Sequence, residues 1–138
     1  MTVVRATNEH GVWSRRLGFL VAGVLVGLVL AASSLAWAHA FPDHSEPRVG
    51  SEVKASPSSV KIWFDSELEP LFSTIEVFDS QENKVDKGDG GVNSDDHSLL
   101  EASVPPLAAG RYTVSWRVVA RDGHPTEGRF PFTVSGGP

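Results

Sequence analysis

Two period-two runs joined by a short polar turn constrain this chain more than anything else in it. From Gly110 to Val134 it reads GRYTVSWRVVARDGHPTEGRFPFTV. In the first half Tyr112, Val114, Trp116 and Val118 alternate with Arg111, Thr113, Ser115 and Arg117; in the second, Phe130, Phe132 and Val134 share one face. Side chains on a strand point alternately to its two faces, so both halves are predicted to be strands with one face buried, joined by a polar turn. That turn carries Asp122, Gly123 and His124. In extended backbone the Asp and His side chains project to the same side, with their Cα atoms roughly 6–7 Å apart. They are either a pair of metal ligands or ordinary Asp-Gly turn chemistry. The segment alone does not choose between the two.

The chain upstream repeats this design in shorter pieces. Phe41 to Val53 holds Pro42, Pro47 and Gly50 and reads as an extended edge segment with a turn. Val60, Ile62 and Phe64 alternate with Ser59, Lys61 and Trp63, a strand introduced by Pro57. After the acidic loop DSELEP at 65–70, Ile75 and Val77 lie on one face and Phe72, Thr74, Glu76 and Phe78 on the other, which predicts a mid-sheet strand or a bulge. Ser80 to His97 is polar and Gly-rich and reads as a hairpin with a mobile tip. Leu99 to Val104 is a further strand, closed by Pro105-Pro106. Such a series predicts an all-β, immunoglobulin-like sandwich of about seven strands, with Trp63, Trp116 and Tyr112 as its largest core residues.

The amino terminus is of a different kind. Leu17 to Ala38 has no charged residue, includes FLVAGVLVGLVLAA and follows Arg5, Arg15 and Arg16. A basic flank, an apolar run and the ending Ala36-Trp37-Ala38 predict a signal peptide over 1–38, cleaved after Ala38, and a single domain over 39–138. An uncleaved membrane anchor is the alternative, because the run is about long enough to span. Ser14-Arg15-Arg16 raises twin-arginine export, against which Gly18 stands where such signals prefer a bulky residue. Residues 39–138 carry nine Lys and Arg against sixteen Asp and Glu, a net charge of −7. So acidic a surface disfavours nucleic acid and anionic lipid and suits cations. There is no Cys, and Met1 is the only Met, so neither a disulfide nor a sulfur ligand is available to the exported part.

Cleavage after Ala38 makes His39 the first mature residue, offering its α-amine and its imidazole to one cation as a chelate ring. His124 adds a nitrogen and Asp122 an oxygen. Three nitrogens and a carboxylate in a plane are the tetragonal set that Cu(II) favours, whereas Zn(II) would want the same ligands tetrahedral. The α-amine, with an ordinary pKa near ~7.7–8.0, must lose its proton to coordinate, so affinity is expected to fall with pH. His44 either reaches this site or faces solvent, the latter being the expectation; His97 lies in the polar hairpin, and His10 leaves with the signal. An amino-terminal copper and nickel motif needs His at the third mature position, where this chain has Phe41.

Ala36-Trp37-Ala38 before His39-Ala40, then Ser45, Pro47, Gly50 and Ser51, then Phe64, Leu68, Phe72 and Ser73, form the first part of a recognisable pattern. GRYTVSWRVV at 110–119, Asp122-Gly123-His124-Pro125, Gly128, Phe132 and Val134 complete it. Over nearly all of 39–135 the chain resembles the CopC family of periplasmic copper-resistance proteins. The resemblance implies a seven-stranded Greek-key β-sandwich that binds Cu(II) through the amino-terminal His and the D-x-H pair, here His39, Asp122 and His124. It implies a CopD-like inner-membrane protein as recipient. Some members add a sulfur-rich Cu(I) site, which this chain lacks the residues to build. Others place a Glu near the copper where this sequence has Ser66, between Asp65 and Glu67.

The expectation is therefore a non-enzymatic periplasmic protein that binds one Cu(II) per chain and buffers or delivers it, with no stable membrane insertion once the signal is removed. Two alternatives come from other classes. An oxidative copper enzyme can also use an amino-terminal His, but Asp122 would fill the position that such a metal keeps open. A metal-free immunoglobulin-like interaction module would treat Asp122-Gly123-His124 as a turn only.

Overall fold

Gly110–Val134 folds into a long antiparallel hairpin, and the other strands are laid around it. The structure, a computed structural model, describes residues 40–136. The expected signal peptide, its cleavage point and His39 lie outside the described residues. Eight strands follow in order: β1 (Pro42–Glu46), β2 (Glu52–Val53), β3 (Ser59–Phe64), β4 (Thr74–Phe78), β5 (Gly91–Val92), β6 (Leu99–Ser103), β7 (Gly110–Val119) and β8 (Pro125–Val134). They form two four-stranded sheets, ordered β1-β3-β6-β5 and β2-β8-β7-β4. The expected all-β sandwich is thus observed, two of its strands being only two residues long. None of the helices among the described residues is long and apolar enough to cross a membrane.

The inward positions of both sheets merge into one apolar cluster. Val60, Ile62 and Phe64 of β3 and Leu100 and Ala102 of β6 meet Tyr112, Val114 and Val118 of β7 and Phe130, Phe132 and Val134 of β8. With no cross-link available, removal of these side chains from water is the main force holding the sheets together. Tyr112 lies against Phe132, and its hydroxyl donates to the Ala108 carbonyl at 2.8 Å, so its polar tip is satisfied as the ring is buried. Register is set by the hairpin, in which Trp116 faces Gly128. A Cβ at residue 128 would stand 2.6 Å from the Trp116 ring, so only glycine leaves room for that indole. Trp116 in turn meets Phe64 edge-on at 5.2 Å, joining the two sheets.

Three expectations are corrected. Trp63 is not a core residue: inward positions on β3 are Val60, Ile62 and Phe64, so Trp63 faces outward, half-buried beneath the stacked ring of His44. Trp116 packs against the core but is itself only partly buried. The strand expected mid-sheet is an edge strand, because β4 pairs only with β7. Phe72, read as part of its outer face, lies instead in a short 3-10 turn (Pro70–Phe72) and is exposed, while Phe78 is covered by the Arg129 guanidinium. The segment read as one hairpin from 80 to 97 is a succession of tight turns containing the edge strand β5, which pairs with β6.

Candidate metal centre

Where β7 turns into β8, the chain must reverse within five residues. Gly123 donates to the Ala120 carbonyl at 2.8 Å, and Ala120 donates to that of His124 at 3.0 Å. Gly123 has φ +89°, a conformation that costs glycine little and other residues much. One oxygen of Asp122, Oδ1, accepts the His124 backbone N–H at 3.0 Å, and the other, Oδ2, lies 3.1 Å from His124 Nδ1. The two candidate ligands are therefore brought together by a closed turn, not by the extended backbone that the spacing suggested.

Two donors bound at 2.0–2.2 Å to one ion and at right angles to each other stand about 2.8–3.1 Å apart. The gap between Nδ1 and Oδ2 thus suits a small divalent cation as well as it suits a shared proton. Nδ1 is shielded from solvent, while the two side chains remain 38% and 31% exposed, so the pair is half-sunk in the rim and reachable from outside. Among the described residues no three His, Asp or Glu side chains converge to hold a metal. This rim supplies two donors, one nitrogen and one oxygen, and further ligands would have to come from outside residues 40–136.

The turn is held against the opposite sheet by the acidic loop that follows β3. Leu68 forms a bridge with Ala120, Arg121 N–H donates to the Glu67 carbonyl at 3.0 Å, and Glu69 N–H donates to that of Val119 at 2.8 Å. The Arg121 guanidinium is paired with the Glu67 carboxylate, and with Glu69 at 4.0 Å. The hydrogen bond that Arg121 donates to Glu67, then the charge of Glu67, push the guanidinium above its usual pKa, and Arg121 stands as a cation next to Asp122 in the chain. Of the two carboxylates flanking Ser66, Glu67 is engaged with Arg121, and Asp65 Oδ1 with the Phe41 N–H at 2.8 Å. Ser66 donates to Asp65 Oδ1 at 3.3 Å. His44 stacks on Trp63 with centroids 4.4 Å apart and approaches Asp43 at 2.9 Å, and so belongs to another surface.

At the same rim the described chain begins. Ala40 is fully buried as part of the core, and its carbonyl accepts a hydrogen bond of 2.7 Å from Thr126 Oγ1, two residues past His124. Nothing in the sequence pointed to Thr126, and Asp65 stood out only as a flank of Ser66, not as a partner of Phe41, because each contact joins distant stretches of chain.

A β-sandwich with an Asp–His pair on a half-exposed rim, and no Cys or Met among its described residues, leaves a borderline metal ion only nitrogen and oxygen donors. Residues 43–135 match the model of the CopC domain. Copper transport protein CutJ of Bacillus subtilis is 30% identical over 112 residues; the match takes in 80% of this chain but only 21% of that much longer protein. Among solved structures, CopC from Methylosinus trichosporium OB3b superposes with a TM-score of 0.63 at 37% identity, covering 71% of this chain and 95% of that one. PcoC, a methionine-rich copper resistance protein from Escherichia coli, superposes with a TM-score of 0.63 at 29% identity, covering 71% and 100%. The chain belongs to the CopC family of copper-binding proteins and is not an enzyme. It differs from PcoC, as that protein is described, in having no methionine after Met1.

Proposed function

We propose that the chain is exported, loses residues 1–38, and in the periplasm binds one Cu(II) through the α-amine and imidazole of His39, the imidazole of His124 and the carboxylate of Asp122. Copper is its cargo. The protein holds the ion on the open rim of the sandwich and passes it to a recipient, for which a CopD-like inner-membrane protein is the natural candidate. CutJ supports that role, since a segment similar to this chain there forms a fifth of a larger copper transport protein.

The observation that carries the reading is the 3.1 Å approach of His124 Nδ1 to Asp122 Oδ2 on the rim where the Ala40 carbonyl is pinned to Thr126. Residue 39 is covalently next to Ala40, which supports bringing a nitrogen-rich terminus to the nitrogen–oxygen pair. Nitrogen and carboxylate ligands without sulfur favour the cupric ion over the cuprous. An intact mass of the exported protein, with and without copper, tests the proposal. It is expected to show a chain beginning at His39 and a gain of one copper. A chain beginning elsewhere, or a cupric spin-resonance spectrum unchanged by His124→Ala, overturns it.

A further inference from the structure

A chelating terminus is useful only if it is aimed. The first residues of a chain are ordinarily poorly ordered unless something ties them down, and ordering them on metal binding subtracts from affinity. Here two long-range hydrogen-bonded contacts converge on the first two described residues. Thr126 Oγ1 of β8 donates to the Ala40 carbonyl at 2.7 Å, across 86 positions of sequence. Asp65, just past the end of β3, meets Phe41 twice: its Oδ1 accepts the Phe41 N–H at 2.8 Å, and its own N–H donates to the Phe41 carbonyl at 3.0 Å. Thr126 belongs to one sheet of the sandwich and Asp65 to the loop leaving the other. Burial of Ala40 in the core fixes the same point a third way.

Resting on the copper-site reading above, we propose that Thr126 and Asp65 are positioning residues: they clamp the Ala40–Phe41 backbone so that residue 39 is presented to Asp122 and His124 before any ion arrives. Neither touches the metal. Thr126 is suited to the task because it lies at the start of β8, two residues after His124, so the hydroxyl that holds the terminus and the imidazole that would share its ion move together. Asp65 is suited because it is an acceptor fixed by its own backbone. With residues 40 and 41 already held, less of the chain has to be ordered on binding, and affinity rises by the cost thereby avoided.

The test uses the exported, processed protein and Cu(II) alone, with affinity read by competition against a chelator and ligand set by nitrogen hyperfine structure in the spin-resonance spectrum. Losing the groups that orient a ligand typically weakens metal binding about 10–100-fold. Thr126→Val and Asp65→Ala are each expected to show a loss in that range and fewer coordinated nitrogens, whereas Thr126→Ser and Asp65→Asn, which keep an oxygen in place, stay near wild type. Stability without copper is measured in parallel. A variant that melts earlier yet binds copper with wild-type affinity and spectrum shows a merely structural role and overturns the proposal, as does Asp65→Asn losing as much as Asp65→Ala, which would make Asp65 a ligand. Should Thr126→Val fail to fold, the Asp65 pair decides. A chain with one glycine added before His39 separates the two readings: if it binds copper as well as wild type, the amino-terminal site itself is wrong; if it binds weakly while Thr126→Val and Asp65→Ala do not, only the clamp is.

Discussion

The turn at 120–124 and the long loop at 79–98 are made of the same residues, Asp, Gly and His, and use them in opposite ways. In the loop four aspartates are committed to backbone or hydroxyl donors. Asp79 accepts the N–H groups of Gln81 and Asn83, Asp86 those of Val77 and Gly88, Asp89 that of Ser103, and Asp96 that of Ser98 together with its hydroxyl. In the rim turn Asp122 Oδ1 is used this way, and Oδ2 faces an imidazole nitrogen. An acidic, histidine-bearing loop is therefore no guide to a metal site. What separates the two regions is that in the rim turn a carboxylate oxygen and a nitrogen donor are turned toward each other.

The largest effect that can break this contrast is on copper. His124→Ala is expected to weaken Cu(II) binding by at least about a hundredfold, more than the loss of an orienting group alone. Asp96→Ala, beside the histidine of the loop, leaves it unchanged; chelator competition on both variants would show equal losses if the contrast is false.

The next effect separates stability from binding. A Cβ at Gly90 would collide with the Ile75 backbone carbonyl oxygen, so Gly90→Ala should cost about 1–3 kcal/mol in urea unfolding while leaving copper affinity alone. At Gly123 a Cβ has open space around it but φ is +89°. Gly123→Ala should cost about 1–2 kcal/mol through backbone strain and weaken copper as well, because the turn that joins the ligands relaxes. Copper loss in the first variant, or none in the second, would reverse the assignment.

A smaller effect is in pH. Hydrogen bonds from Asn83, Ser103 and Ser98 hold the carboxyls of Asp79, Asp89 and Asp96 below their usual value of 3.8. A carboxyl with a lowered folded-state pKa favours the fold above its unfolded value and loses that contribution as pH falls through the folded one. Stability should therefore hold down to about pH 4 and decline below it, with a shallower decline in the Asp79→Asn, Asp96→Asn double variant. Copper affinity, by contrast, should begin to fall at higher pH, once the medium drops below the ~7.7–8.0 of an α-amine, so titrations of unfolding and of copper affinity should not coincide.

The least change is expected from Glu67→Gln. Its ion pair with Arg121 is exposed on both sides, and such pairs contribute little. The unfolding midpoint should stay within scatter, because backbone hydrogen bonds from Arg121 and Glu69 hold the loop. A clear drop would mean that the side chains, not the backbone, fasten the turn.

Residue order alone specified the strands whose pattern is local. The alternations in Val60–Phe64 and in Tyr112–Val134 survive into β3, β7 and β8 because a two-residue period can bury only one face. Asp122 and His124 were visible as candidates, since Asp-Gly-His is a contiguous signal. Trp63 was misplaced because alternation says which residues share a face, not which face turns inward. The edge position of β4 and the breaking of 80–97 into turns depend on pairing partners far along the chain. So do the seat of the acidic loop on Ala120 and the hold of Thr126 and Asp65 on Ala40 and Phe41. These contacts join segments 24 to 86 residues apart, and only packing two sheets on one core brings such segments within hydrogen-bonding reach.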